Sequence, residues 1–342
     1  MSDTAPTLVT GALGFVGCWL IEDLLQTGTE VVGISRLPGG QDPPPTFGPF
    51  TLEGSDSNLP DAMRYRSRHG TWLHVCGGLE DISLVERLIG NTEPAIIYHL
   101  AAQSSAAVSF RDPFDTFTSN LTGTLNLLET IKKQPPARMP VMLAVGSCEE
   151  YGATRNYVPL NEKAPLQPVS PYGVSKAAQS LLCQQYHHSF DLPIILVRAF
   201  SHTGPGQDTR FVFPSFAAQI VACERSASDR TLAVGNLTPV RDYLDVRDVV
   251  AAYRALITSG DPGQVYNVCS GRSLTIQEGL DILLDAARIE LDTVPDPERQ
   301  RPSDIPYMVG DNTKLRARTG WHPQRDLRQT LTDVLNWTRE EA

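Results

Sequence analysis

No apolar run in the sequence approaches the roughly 18 residues of a membrane-spanning helix. The opening stretch, MSDTAPTLVTG, has neither the basic nor the apolar region of a secretory leader. The expectation is therefore a soluble, cytoplasmic protein with no membrane partner. Basic residues are outnumbered: 29 Lys and Arg face 39 Asp and Glu, a net charge of −10. Nucleic-acid binding needs a basic footprint that this balance does not supply, so no nucleic-acid partner is expected, although single arginines remain free to hold a small phosphorylated ligand. Cysteine is scarce. Cys18, Cys76, Cys148, Cys183, Cys223 and Cys269 are widely scattered, with no CxxC pair and no His/Cys cluster at metal-ligand spacing. They read as thiols in a reducing compartment, and no metal is expected. Internal repeats are also lacking.

What is present is enough chain, at 342 residues and 41% hydrophobic, for a large α/β domain or a nucleotide-binding domain with a smaller companion. In the first half short apolar runs alternate with helical patterns: TLVTG, then FVGCWLIEDLLQTG, EVVGIS, PAIIYHLAA, LTGTLNLLETIKK and PVMLAVGS. Apolar strands separated by helices imply parallel pairing through crossover helices, hence an α/β, doubly wound, Rossmann-like parallel sheet. From Ser201 the elements become irregular, which suits a smaller mixed α/β C-terminal substrate domain. The expected division is 1–200, with a return segment near 240–262, and 201–342. Between Leu37 and Gly70 the alternation lapses into a long proline-rich excursion. A surface insertion, a cofactor flap and a subunit contact are the three readings of it.

TLVTGALGFVG places Gly11, Gly14 and Gly17 between a predicted strand and a predicted helix. The spacing is GxxGxxG rather than GxGxxG, but the mechanism is shared: a tight turn, close backbone approach, and a helix amino end that attracts a pyrophosphate. Plain strand-to-helix packing is the alternative. The second strand ends in Ser35 and Arg36, where an NAD-binding chain normally carries an acid. Arg36 suits a 2′-phosphate, so NADP(H) is favoured, with NAD(H) as the second possibility; a solvated surface charge is the other explanation.

SPYGVSK, residues 170–176, sets Tyr172 and Lys176 four apart. On a helix such residues share a face, so the ammonium can approach the phenol, favour its ionised form and lower its pKa. An ordinary amphipathic helix, capped by Ser170 with Pro171 in its first turn, fits the same letters. Ser147 falls just past a predicted strand's carboxyl end, where open α/β sheets bind ligands.

GALGFVG, HLAAQSS, GSCEEYG and SPYGVSK together resemble the extended short-chain dehydrogenase/reductases that act on nucleotide sugars. AFSHTGPGQ, FVFPSFAAQI, VGNLTPVRDYLDVRDVVAAY, VYNVCSG and RPSDIPYMVGDNTKLRARTGWHP are similar to the GDP-mannose branch. Within it the closest likeness is to the GDP-6-deoxy-lyxo-4-hexulose reductases that make GDP-rhamnose, and the next is to the GDP-mannose 4,6-dehydratases. The resemblance covers nearly the whole chain outside the Leu37–Gly70 excursion.

The resemblance implies that Tyr172 is the acid/base, that Lys176 lowers its pKa and holds the nicotinamide ribose, and that Ser147 bonds the reacting sugar oxygen. Glu149 stands where dehydratases carry an acid/base glutamate, and reductases of the branch can have one there too. Cys148 reads as a small filler between them rather than a nucleophile. Phe15, Val16, Leu79, Leu100, Ala101 and Ala102 are implied at the cofactor beside the glycines and Arg36. Ser104, Asn120, Ser201, Phe211, Val212 and Asn236 are implied near the substrate. Arg241 and Arg301 correspond to arginines aimed at a nucleotide diphosphate, and structural ion pairing is the alternative for each.

Two departures stand out. Ser201 replaces the branch's usual asparagine. Gly78 and Leu79 occupy the place of an aspartate–aliphatic pair that meets the adenine amino group. The implied activity is reduction of a GDP-linked 4-keto-6-deoxy-hexose, with a 4,6-dehydratase or epimerase as the rival and a non-catalytic NADP-binding protein as the third reading. A homodimer is also implied.

Overall fold

The computed structural model describes residues 5–37, 46–56, 59, 62–153, 157–226, 230–299 and 305–342. The chain packs into two units, the first made of residues 1–150, 168–198 and 253–266, the second of 151–167, 199–252 and 267–342.

In the first unit the apolar runs form strands β1 (Thr7–Thr10), β2 (Val31–Ser35), β3 (Thr46–Phe47), β4 (Phe50–Ser55), β5 (Ala62–Ser67), β6 (Gly70–Cys76), β7 (Ile96–His99), β8 (Val141–Ser147) and β9 (Ile194–Ala199). With the strand Val265–Val268, whose first two residues belong to this unit, they make one ten-stranded sheet. Its order is Val265–Val268, β9, β8, β7, β1, β2, β6, β5, β4, β3. β1 pairs in parallel with β2 and β7, β2 with β6, and β7 with β8. Burial on both faces explains why these strands are almost continuously apolar rather than alternating.

Helices α1 (Phe15–Gln26), α2 (Ile82–Thr92), α3 (Ala106–Arg111), α4 (Pro113–Phe117), α5 (Gly123–Lys132) and α6 (Pro171–Phe190) accompany the sheet. Val85, Leu88 and Ile89 of α2 and Leu127, Leu128 and Ile131 of α5 join Leu8, Val32, Ile34, Ile97 and Met142 of the strands in one core. α6 begins as its sequence requires. Ser170 caps it by accepting from Gly173 N, Pro171 fills the first turn, and Asp191 closes it in the left-handed conformation.

The excursion between Leu37 and Gly70 is, in its described part, an extension of the sheet, which corrects its reading as a surface insertion. β3, β4, β5 and β6 form an antiparallel meander. Its anchors are aromatic. Tyr65 stacks on Trp72 at 5.5 Å between ring centres, and Phe50 meets Trp72 edge-on at 5.1 Å. All three are buried. The Trp72 ring packs against β2 where Gly33 has no side chain: a Cβ there would lie 2.6 Å from it. Three aromatics carry this small core while Glu53 and Arg66 face outward as an ion pair, so the two-residue period is hard to read.

The second unit has a separate core in which Phe213, Phe216 and Ile220 of the helix Val212–Arg225 meet Leu280 and Leu283 of Ile276–Asp285 and Leu331 and Leu335 of Leu327–Glu341. A return to the first unit was expected near 240–262; the returning residues are 253–266. The helix Val246–Ser259 is continuous, but Asp248 near its start holds Gln324 N and Arg325 N in the second unit. Further on, Arg254 pairs with Asp23 of α1 at 2.7 Å in the first. Residues 151–167, expected in the nucleotide-binding part, belong to the second unit.

Candidate active site

The strand order reverses at β1, between β2 and β7, and the crevice beyond the carboxyl ends at such a switch point is where open α/β sheets take ligands. The glycine loop lies there. Gly11 has φ +71, and a Cβ on it would lie 2.9 Å from Ala101 N. A Cβ on Gly17 would be 2.4 Å from Gly11 O, so only glycine lets α1 start this close to the turn. Gly14 occupies the N-cap of α1 without a side-chain cap, and Phe15 and Val16 begin the first turn. An amino end free of a side-chain cap, approached by bare backbone, fits a pyrophosphate.

Leu100 N and Ala101 N bond to Thr10 O at 3.2 Å and Thr10 Oγ1 at 3.1 Å, tying the segment that holds Leu100, Ala101 and Ala102 to the end of β1. Ser104 beyond it is exposed. Leu79 is buried in the core, with its carbonyl bonded by Asn126 Nδ2 at 2.9 Å. Arg36, just past β2, is not a lone surface charge: its Nη1 lies 2.9 Å from Asp115 Oδ1 of α4. That bond raises the Arg36 pKa and lowers that of Asp115.

β8 delivers Ser147 to the same end of the sheet, and a short turn, Cys148–Glu150, follows. Glu149 N donates to Ser147 Oγ at 3.1 Å. Ser170 Oγ donates to Glu149 Oε2 at 2.8 Å, so the residue that caps α6 also orients this carboxylate. Cys148 is buried beside them. Tyr172, in the first turn of α6, donates its backbone N–H to Ser109 Oγ at 3.1 Å, and the Ser147 hydroxyl acts on its phenol so as to favour the ionised form.

Lys176 is on the same helix face, but its ammonium points at the strand. Nζ donates to Val145 O at 2.8 Å and to Gln179 Oε1 at 2.9 Å. This corrects the expectation of a lowered tyrosine pKa. Burial pushes the Tyr172 phenol well above its ordinary value, the Ser147 side chain pulls it partly back, and the charge of Glu149 adds to the rise. Burial brings Lys176 down to about 8, against the opposing charge of Glu150.

Asn120 is a second correction. It is fully buried in a one-turn π-bulge, Thr118–Thr122. Its Oδ1 accepts from Gln103 N at 2.7 Å, while Nδ2 donates to Ser175 Oγ at 2.9 Å and Gln103 O at 3.1 Å. Its amide is thus committed to the protein, and Ser175 Oγ passes the link to Tyr172 O at 2.7 Å. Asn120 braces the first turn of α6 instead of facing a substrate.

Sequence reasoning missed Glu150. Its carboxylate is fully buried, bonded to Ser147 N at 2.9 Å, Ser180 Oγ at 3.0 Å and Arg198 Nε at 2.9 Å. Gly146 makes the room, since a Cβ there would sit 2.1 Å from Glu150 Oε1. A glycine four residues before an acid was the only signal for it.

The other expected substrate residues lie in the second unit. Ser201 is in the strand Ser201–Thr203, and Phe211 and Val212 open the helix Val212–Arg225. Asn236 Oδ1 accepts from Thr238 N and Oγ1 at 3.1 and 2.9 Å. Arg241 Nη1 donates to the carbonyls of Val240 and Ile305 at 2.9 and 2.6 Å, an anchoring that favours the structural side of its two readings. Arg301 lies outside the described residues. Among the described residues no His, Cys, Asp and Glu group could hold a metal ion, and no helix is long and apolar enough to cross a membrane.

The chain is similar over most of its length to nucleotide-sugar enzymes. A family profile for GDP-mannose 4,6-dehydratase matches residues 8–334. A GDP-6-deoxy-D-mannose reductase from Pseudomonas aeruginosa is 37% identical over 244 residues, 71% of this chain and 80% of the relative. The solved structure of RMD from Pseudomonas aeruginosa complexed with NADPH superposes with a TM-score of 0.80 at 31% identity, covering 99% of this chain and 100% of that one. A UDP-glucose 4-epimerase from Thermotoga maritima with UDP-glucose gives a TM-score of 0.81 at 25% identity, covering 98% and 99%.

Proposed function

The chain belongs to the GDP-mannose 4,6-dehydratase family, within the extended short-chain dehydrogenase/reductases that act on nucleotide sugars, and from that premise we propose that it reduces a GDP-linked 4-keto-6-deoxy-hexose to a GDP-6-deoxy-hexose such as GDP-D-rhamnose. NADPH is the proposed donor, with NADH accepted. The glycine loop and the α1 amino end would hold the pyrophosphate, Arg36 the adenosine ribose, and Lys176 the nicotinamide ribose. When bound, the nicotinamide supplies a hydride.

What supports reduction is the likeness to a GDP-6-deoxy-D-mannose reductase and to the RMD structure with NADPH, together with the Tyr172 phenol, which burial keeps protonated and so available as a donor. A reductase needs a proton donor for the alkoxide that develops at the sugar oxygen. A dehydratase or epimerase, which begins by oxidising the sugar, needs a base there first. Tyr172 gives up its phenolic proton to the oxygen, Ser147 donates a hydrogen bond to it, and Glu150 keeps the Ser147 peptide from shifting as charge moves.

A 4,6-dehydratase is the second reading, favoured by Glu149, whose oriented and half-buried carboxylate stands two residues beyond Ser147. One experiment separates the two. Purified protein is given the GDP-4-keto-6-deoxy-hexose with NADPH, or GDP-mannose alone. Consumption of NADPH in the first mixture and an unchanged second mixture support the reductase; a 4-keto product from GDP-mannose alone overturns it.

The active form is proposed to be a cytoplasmic homodimer. Phe114 of α4 is 85% exposed, and Leu125 of α5 and Val174 and Leu181 of α6 are exposed with it, an apolar set that suits a second copy of the chain. Light scattering on the purified protein tests this.

A further inference from the structure

The guanidinium at the end of β2 is already engaged. Asp115 Oδ1 holds Arg36 Nη1 at 2.9 Å, and Ser119 Oγ donates to the same carboxylate oxygen at 3.3 Å. The acid is well anchored, because Asp112 caps α4 by accepting from Asp115 N at 2.9 Å. Glu80 adds a second negative charge acting on Arg36. The guanidinium is thus bonded to one carboxylate and feels the charge of a second.

This matters for a dinucleotide. A 2′-phosphate brings nearly two negative charges and seeks a guanidinium fork. Here it must take Arg36 from Asp115 and then tolerate the displaced carboxylate. A 2′-hydroxyl carries no charge, and a carboxylate can accept its hydrogen bond. The pair is partly exposed, with side-chain exposures of 45% and 39%, so it can open, but the competition remains.

We propose that Asp115 is a specificity-determining residue which, by holding Arg36, restrains the preference for 2′-phosphorylated dinucleotides and lets the enzyme use NADH alongside NADPH. The inference rests on the reading that the end of β2 receives the adenosine ribose. It assigns Asp115, 79 positions from Arg36, a role in discrimination that no spacing pattern would reveal.

The test is binding of two fragments, 2′,5′-ADP and 5′-ADP, by isothermal titration calorimetry with the full chain. Wild type, Asp115→Asn, Arg36→Ala and the double variant are compared. Asp115→Asn should tighten 2′,5′-ADP at least fivefold and leave 5′-ADP within twofold. Arg36→Ala should weaken 2′,5′-ADP and abolish the gain in the double variant. Asp115→Ser should shift binding in the same sense, which guards against a local disturbance by asparagine. If Arg36→Ala weakens only 2′,5′-ADP while both Asp115 variants bind the two fragments as wild type does, the inference falls and the ribose placement stands. If Arg36→Ala weakens both fragments equally or neither, the placement itself fails, and the inference with it.

Discussion

Glu150 Oε1 accepts the backbone N–H of Ser147 at 2.9 Å, so the carboxylate that neutralises the buried Arg198 also fixes the residue whose hydroxyl acts on the Tyr172 phenol. A charge pair outside the proposed proton transfer thereby sets the position of a residue proposed to take part in it. The three groups that the Glu150 carboxylate holds come from three elements: Ser147 from β8, Ser180 from α6 and Arg198 from β9.

Breaking this arrangement should be costly. Glu150→Ala leaves Arg198 buried and unpaired, a loss of about 3–5 kcal/mol by the usual cost of orphaning one partner. Gly146→Ala should produce a comparable fall, because its Cβ would meet the pinned Glu150 carboxylate and, at 2.8 Å, Val197 O. Urea denaturation measures both. A change under about 1 kcal/mol in either variant would mean that the pocket relaxes freely.

Tyr172→Phe should leave NADPH affinity nearly unchanged and lower turnover by about 10²–10⁴-fold, the usual worth of general acid catalysis. Ring packing is retained and the proton donor alone is removed. Turnover within threefold of wild type would exclude Tyr172 as the acid.

Acid should destabilise the fold through two buried histidines. Burial brings His99 down to about 3, with Lys176 adding to the effect, and His74 down to about 4. In the unfolded chain both titrate near 6.5. Below that value the unfolded state binds the extra protons, so stability falls as pH drops from about 6.5 towards 4, at up to about 1.4 kcal/mol per pH unit for each group. His74→Gln should flatten the dependence between pH 6 and 5 by about one such increment. Denaturation midpoints with the same slope in variant and wild type would contradict this.

Trp72→Ala should cost about 3–5 kcal/mol, the ordinary penalty for truncating a buried aromatic, and should loosen β4 and β5 together. Hydrogen exchange on those strands, read beside the denaturation curve, checks it. Unchanged stability would return the meander to the status of a surface appendage.

The parallel core was legible because strands buried on both faces write themselves as apolar runs, and the glycine loop because Gly11 and Gly17 stand where any Cβ would collide with backbone. Ser147 and Tyr172 could be placed from their distance to a strand end and a helix cap. Side-chain direction was not legible. Whether Glu149 or Glu150 turns inward is decided by one short turn and the space above Gly146, and Lys176 chooses the Val145 carbonyl over the phenol on its own helix face. The excursion was misread because aromatic contacts between Phe50, Tyr65 and Trp72 join strands whose outward residues are charged. Asn120 was misassigned because an asparagine that braces a helix and one that meets a ligand look alike as letters.

The meander also changes what the sheet offers to other chains. Without it, β6 would end the sheet as a seven-residue strand with one side unpaired, a template on which a second polypeptide could build. With it, the outermost strand among the described residues is β3, Thr46–Phe47, and next to it β4 is broken in register between Leu52 and Gly54. That irregularity interrupts the regular ladder an incoming strand would need. The same residues that look like a detour from the nucleotide-binding plan thus shield the full-length edge that β6 would otherwise present.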